Sequence, residues 1–111
     1  MYCYRAFGLY IHSAVILPEL LIDSNHHAPD VVIQLGEVNP DGLLNPEDSG
    51  AFYQSNKNEF WLHVPDVARY LIRDGQQITI DPSDAIDEAS LRVFLLGSCM
   101  GALLMQRDLL L

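Results

Sequence analysis

A chain of 111 residues, 50% of them hydrophobic, suits one domain built on one core and excludes wholesale disorder. Fifteen acidic against six basic residues give a net charge of −9, which sets the chain against nucleic acid and anionic membrane surfaces. The acidity serves either solubility or attraction of a basic partner. Cys3 and Cys99 stand almost at opposite ends with no C-x-x-C spacing, which excludes a disulfide framework and a cysteine-rich metal site.

Tyr2 to His12 is rich in aromatic and β-branched residues and predicts a strand, bulged at Gly8. Ala14 to Leu17 is apolar and stops at Pro18. Pro18 to Leu21 suits a short helical turn or an edge segment. Asp23 to Pro29 has the composition of a loop. Val31 to Leu35 predicts a strand ended by Gly36. Residues 39–58, rich in Asn, Pro, Asp, Gly and Ser, predict the longest loop, with a short strand at Ala51-Phe52-Tyr53.

Glu59 to Val64 alternates and predicts a strand, and Pro65-Asp66 a turn. Val67 to Arg73 is ambiguous, because Pro65 could open a helix there. A strand is preferred, because Asp74-Gly75 is a favoured hairpin pair. Ile78 to Ile80 returns from that turn, Pro82 stops it, and 81–86 form a connector. Asp87 predicts a helix N-cap, with Glu88 in the first turn where the helix dipole favours an anion. The helix is expected from about Glu88 to about Leu109. Strands first and one long helix last predict an α+β fold: a single domain, 1–111, with an antiparallel sheet packed against one C-terminal helix.

Leu91 to Leu111 is the longest apolar run. A helix apolar all round needs cover, from the residues before it or from another chain. Its most apolar stretch, Val93 to Met105, is shorter than the ~20 residues that span a bilayer. Gly97-x-x-x-Gly101 has the form of a membrane dimerisation motif, but close packing within a soluble core is the expected use. The opening Met1-Tyr2-Cys3-Tyr4-Arg5 lacks the pattern of a secretory signal, so a cytoplasmic protein with two reduced thiols is expected.

Chemistry-bearing patterns are few. A P-loop needs glycines leading into Lys-Ser/Thr. Lys57 is the only lysine, and the residue immediately before it is Asn56, not glycine. The adjacent His26-His27, flanked by Asp23 and Asp30, cannot readily aim both rings at one ion. His12 and His63 fall on predicted strands and read as structural. Ser98 lacks the G-x-S-x-G frame of a nucleophile elbow, and its hydroxyl is expected to bond back to the preceding turn. Cys99, on the same helix, reads as a small apolar residue. Arg69, Arg73, Arg92 and Arg107 each have a carboxylate or helix end to answer. No catalytic, cofactor-binding or metal-binding residue is assigned, and no cofactor or enzyme activity is expected.

Tyr4-Arg5-Ala6-Phe7-Gly8-Leu9-Tyr10-Ile11-His12-Ser13 followed by Leu17-Pro18-Glu19-Leu20 resembles the opening of HPr serine kinase-like proteins, including the kinases of lasso-peptide biosynthetic clusters. Asp30-Val31 and Val67 to Ile72, with Gly75 and Ile78, resemble their middle. Phe94 to Ser98 and Gly101 to Leu104, with Gln106-Arg107, resemble the stretch leading into their kinase domain. The resemblance spans nearly the whole chain and reaches only the N-terminal accessory region, short of the P-loop domain that holds ATP and magnesium. A truncated chain, a split-gene product and a stand-alone relative all remain open.

The resemblance implies a non-catalytic accessory module that packs on a P-loop kinase domain and helps place a protein or peptide substrate. The candidate partner-binding residues are Gly97, Gly101, Leu103, Leu104, Gln106 and Arg107. A small-ligand domain with Trp61, Tyr53 and Tyr70 at an aromatic pocket is the alternative, and a structural dimerisation domain the third reading. Gly97, Gly101 and Ala102 offer a flat strip on which a homodimer could close.

Overall fold

In the computed structural model residues 1–84 and 87–109 are described. The last part of the expected connector, Ala85-Ile86, and the final Leu110-Leu111 lie outside the described residues.

The first strand region is two strands. β1 (Tyr2–Ala6) and β2 (Leu9–Ser13) pair antiparallel, with Ala6 opposite Leu9. Phe7 and Gly8 between them have φ of 56° and 74°. Two positive φ values in a two-residue loop match the right-handed twist of a hairpin, so the chain reverses at Gly8 rather than bulging. β3 (Leu21–Ile22) pairs with the outer side of β1 as an edge. β4 (Val31–Leu35) follows. In the long polar segment β5 (Asp48–Ser49) and β6 (Tyr53–Ser55) form a small ribbon that leads into β7 (Glu59–Val64), β8 (Ala68–Arg73) and β9 (Gln77–Pro82). Asp74 and Gly75, with φ of 55° and 62°, turn the β8–β9 hairpin as expected, and residues 68–73 are strand rather than helix.

Among the described residues the nine strands make one sheet in the order β3-β1-β2-β4-β9-β8-β7-β6-β5. The α+β class and the terminal helix are as expected, and the sheet is mixed rather than purely antiparallel. β4 runs parallel to both neighbours, β2 and β9, and so joins two antiparallel units. Period-two patterning is the same for both pairing senses; only the long connections around β4 permit the parallel one.

The helix spans Glu88–Gln106 and lies on one face of the sheet. Asp87 caps it, accepting from the Ala89 N–H at 3.1 Å. Leu91, Leu95, Cys99 and Leu103 are buried against Tyr4, Ile11, Ile33, Tyr70, Ile72, Ile78 and Ile80. Those four helix residues are spaced by four. In a regular α-helix each four-residue step rotates a side chain by roughly 40°, so three steps would turn it about 120° off the sheet. A π-turn at Leu95–Cys99 lies between the α-helical segments Glu88–Phe94 and Met100–Gln106. Its wider turn takes up that rotation and keeps the four residues in contact with the sheet. Tyr70 pins the first segment: its buried hydroxyl donates to the Leu91 carbonyl at 3.0 Å, and burial pushes the phenol pKa up.

The helix Glu88–Gln106, 19 residues with Glu88 and Arg92 inside it, is long and apolar enough to cross a membrane by length and composition alone. In this fold the helix instead places Leu95, Cys99 and Leu103 beneath the sheet with no exposure. The chain is a globular unit with one core.

Candidate functional site

The period-two alternation of the strands separates two sheet faces. Tyr53 sits opposite Leu62, and Gln54 opposite Trp61, so Tyr53 and Trp61 emerge on opposite sides. Tyr70 is fully buried in the core. The three aromatics do not converge on a pocket. Trp61 belongs to the face away from the helix, where its indole N–H donates to the Asn39 carbonyl at 2.8 Å and fastens the polar loop.

On the helix side, a groove of about 590 Å³ runs between the helix flank and the β5–β6–β7 ribbon. Ser98, Gly101, Ala102 and Met105 form the helix wall, and Tyr53 and Phe60 the opposite one. The two rings stack with centroids 6.1 Å apart. The Tyr53 hydroxyl donates to Asp48 Oδ2 at 3.1 Å, and that carboxylate holds the phenol pKa up, so Tyr53 remains a donor. Gly50 leaves the space the ring needs, since a Cβ there would collide with Tyr53 Cε1. Asp48, Glu59 and Lys57 bring charge to the groove.

Two of the six candidate residues face outward at or beside this groove. Gly97 is exposed and Gly101 partly so, and a Cβ on either would meet nothing within 4 Å. Neither has a positive φ. Their smallness therefore serves no packing within the chain, contrary to the expectation of close packing in the core. Val93 and Met105, 68% and 65% exposed, continue the same four-spaced strip. Leu103 and Leu104 are buried in the chain's own core, so they are not available to a partner. Met105 and Leu109 face solvent and do not share a face with Leu91 and Leu95. The π-turn explains this for Met105, because it shifts the residues after Cys99 relative to an α-helical wheel; Leu109 lies beyond the helix, which ends at Gln106 rather than at about Leu109.

Gln106 and Arg107 hold the β8–β9 turn. Gln106 Oε1 accepts from the Gly75 N–H at 2.8 Å, its Nε2 donates to the Ile72 carbonyl at 3.1 Å, and Arg107 donates to the Gly75 carbonyl at 2.7 Å. Arg73, Arg92 and Arg69 answer Glu59, Glu19 and Asp81 at 3.0, 3.0 and 3.9 Å. Ser98 is exposed and lines the groove.

The histidine pair diverges. His27 donates from Nδ1 to Asp23 at 3.0 Å and stacks on Tyr10 with centroids 4.1 Å apart. His26, at φ 50°, turns its Nδ1 to within 3.4 Å of Cys3 Sγ. His12 donates from Nε2 to the His27 carbonyl at 2.9 Å. Burial pushes the Asp23 carboxyl up, but the N–H and ring of His27 and the N–H of Asn25 outweigh it, and the net pKa is lowered. This network closes the loop onto β1 and β2. Among the described residues no group of three or more His, Cys, Asp or Glu is placed to hold a metal ion. Cys99 is fully buried, and burial pushes its thiol pKa up.

Sequence reasoning missed Tyr53, Phe60 and Met105 as a group. Their signal was present only as apolar residues on separate elements, and nothing local shows that the ribbon folds back beside the helix. No protein-family model, no curated protein and no solved structure matches the chain.

Proposed function

We propose that the chain is a non-catalytic, cytoplasmic partner-binding module of an HPr serine kinase-like system. Its C-terminal helix and adjoining groove seat against a P-loop kinase domain and help place a protein or peptide substrate. The observation that carries this reading is the outward pair Gly97 and Gly101 beside the groove. Glycine in a helix costs up to ~1 kcal/mol relative to alanine, and here the chain's own packing has no use for it. A feature that weakens the helix while flattening its exposed side suits close approach by a second backbone. The sequence resemblance supplies the kind of partner.

The test is titration of the full chain with a P-loop domain of an HPr serine kinase-like protein, followed by calorimetry and sedimentation. A one-to-one complex is expected, weakened at least tenfold by Gly101→Leu. Absence of association between the two folded proteins at about 100 µM, well above the usual micromolar range of such contacts, sinks the reading. So does reproducible ATP-dependent phosphorylation by this chain alone.

A further inference from the structure

We infer that the occupant of the helix–ribbon groove is a basic amphipathic helix belonging to a partner protein. The inference rests on the partner-binding reading above and adds the chemistry of the segment that is bound.

Shape argues for a helix. The groove wall from Ser98 to Gln106 covers about 12 Å of helix axis, roughly two turns. That length matches the apolar face of an amphipathic helix read as i, i+3 or i+4, and i+7 anchors. Gly101 and Ala102 let a second helix backbone come close, while Tyr53, Phe60 and Met105 offer apolar contact on either side. A bound strand would need a free sheet edge beside the groove. The edge there is β5, only two residues long, which offers too few backbone groups for strand addition.

Charge decides the sign of the partner. A second basin adjoins the groove and shares Asn56, Lys57 and Glu59 with it. Across both, Glu47, Asp48, Glu59 and Asp74 face Lys57 and Arg73. Arg73 and Glu59 neutralise each other at 3.0 Å, which leaves Glu47, Asp48 and Asp74 against Lys57. Asp48 lies on exposed β5 and Glu47 just before it, so both can meet a cation at the rim. The chain as a whole carries −9, which raises the encounter rate of a basic partner and opposes an acidic one. A second copy of this chain would bring the same carboxylates and the same net charge to the contact, so it fits the groove less well.

The experiment uses the full chain with 13C-methyl methionine and a synthetic peptide of about 15 residues, long enough to form a helix on binding. The peptide carries Leu at i, i+3, i+4 and i+7 spacing with Lys and Ala elsewhere. One control replaces every Lys by Glu, and a second scrambles the sequence. The Lys peptide is expected to shift the Met105 methyl and the Tyr53 and Phe60 rings. It should bind at least tenfold more tightly than either control and lose affinity as salt rises. Gly101→Leu should block it, and Asp48→Asn with Glu47→Gln should weaken it severalfold. The two rim substitutions lie on the surface and test the charge argument even if Gly101→Leu perturbs the fold.

Equal binding of the Glu peptide or of the scrambled peptide overturns the inference, as do shifts confined to the Trp61 face. A Met105 shift that follows protein concentration without peptide overturns it in favour of a second copy. If the P-loop domain binds at the groove but the Lys peptide does not compete, the occupant is wrong and the partner-binding reading stands. If the Lys peptide binds as described while the P-loop domain does not, the kinase-domain partner is wrong and the basic helix stands.

Discussion

The two sides of the C-terminal helix are both apolar and both spaced by four, yet they do opposite work. The inner strip, Leu91, Leu95, Cys99 and Leu103, is at most 3% exposed. The outer strip, Val93, Gly97, Gly101 and Met105, is exposed or half-exposed. What separates them is a pair of glycines: Gly97 and Gly101 leave a flat lane between Val93 and Met105 on the outer strip, and the inner strip has no glycine. The π-turn keeps both rows straight, because a regular helix would wind each of them around its axis by roughly 120° over three steps.

The sharpest test sets one strip against the other. Leu103→Glu buries an unpaired charge at a site with no exposure and is expected to abolish folding, whereas Met105→Glu, two residues on, folds. Circular dichroism and urea melts of the pair decide it. A folded Leu103→Glu protein would mean that the inner strip has been misassigned. Leu95→Ala, a milder probe of the same strip, should cost ~2–5 kcal/mol.

Gln106 closes the helix onto the β8–β9 turn with two hydrogen bonds, so Gln106→Ala should destabilise by ~1–3 kcal/mol through the backbone groups it leaves unpaired. A change below ~0.5 kcal/mol in denaturant melts would show that water replaces it fully.

On the outer strip the sign reverses. Gly101→Ala should stabilise the chain by up to ~1 kcal/mol, since the added Cβ meets nothing and helix propensity improves. Affinity for the P-loop domain should fall in the same variant. Stabilisation without loss of affinity would separate the outer strip from partner binding.

The smallest effect concerns the start of both strips. The Ser90 hydroxyl and N–H, then the Ala89 N–H, lower the Asp87 carboxyl below its ordinary 3.8, although desolvation raises it. A depressed folded pKa contributes stability that is complete above the ordinary value and is lost as pH falls through the folded one. The stability difference between wild type and Asp87→Ala should therefore be constant above about pH 5 and shrink in acid. A difference that stays level down to the acid unfolding limit would remove the charge from the capping role.

Local patterns were enough for some elements and not for others. The β-branched run ended by Gly36 placed Val31–Leu35, alternation placed Glu59–Val64, and the Asp74-Gly75 pair correctly chose strand over helix for residues 68–73. Asp87 announced the helix start, because capping chemistry acts within three residues of the chain. Phe7-Gly8 was read as a bulge, since Phe in the left-handed region is uncommon and only the pairing of Ala6 with Leu9 demands it. Of the candidate site residues, Gly97 and Gly101 were legible as a small-residue strip; Leu103 and Leu104 were not legible as core.

What the sequence determined by itself, then, was the α+β class, most strand positions and one apolar terminal helix, all properties of short windows. The tertiary structure decided what depends on residues far apart. It set β4 parallel to β2 and β9, it chose which side of an all-apolar helix meets the sheet, and it brought Tyr53 and Phe60 to face Gly101 and Met105. The physical reason is that burial is a relation between elements. A one-residue accommodation in the π-turn moved Leu103 to the core and Met105 to solvent, and no local preference records that shift.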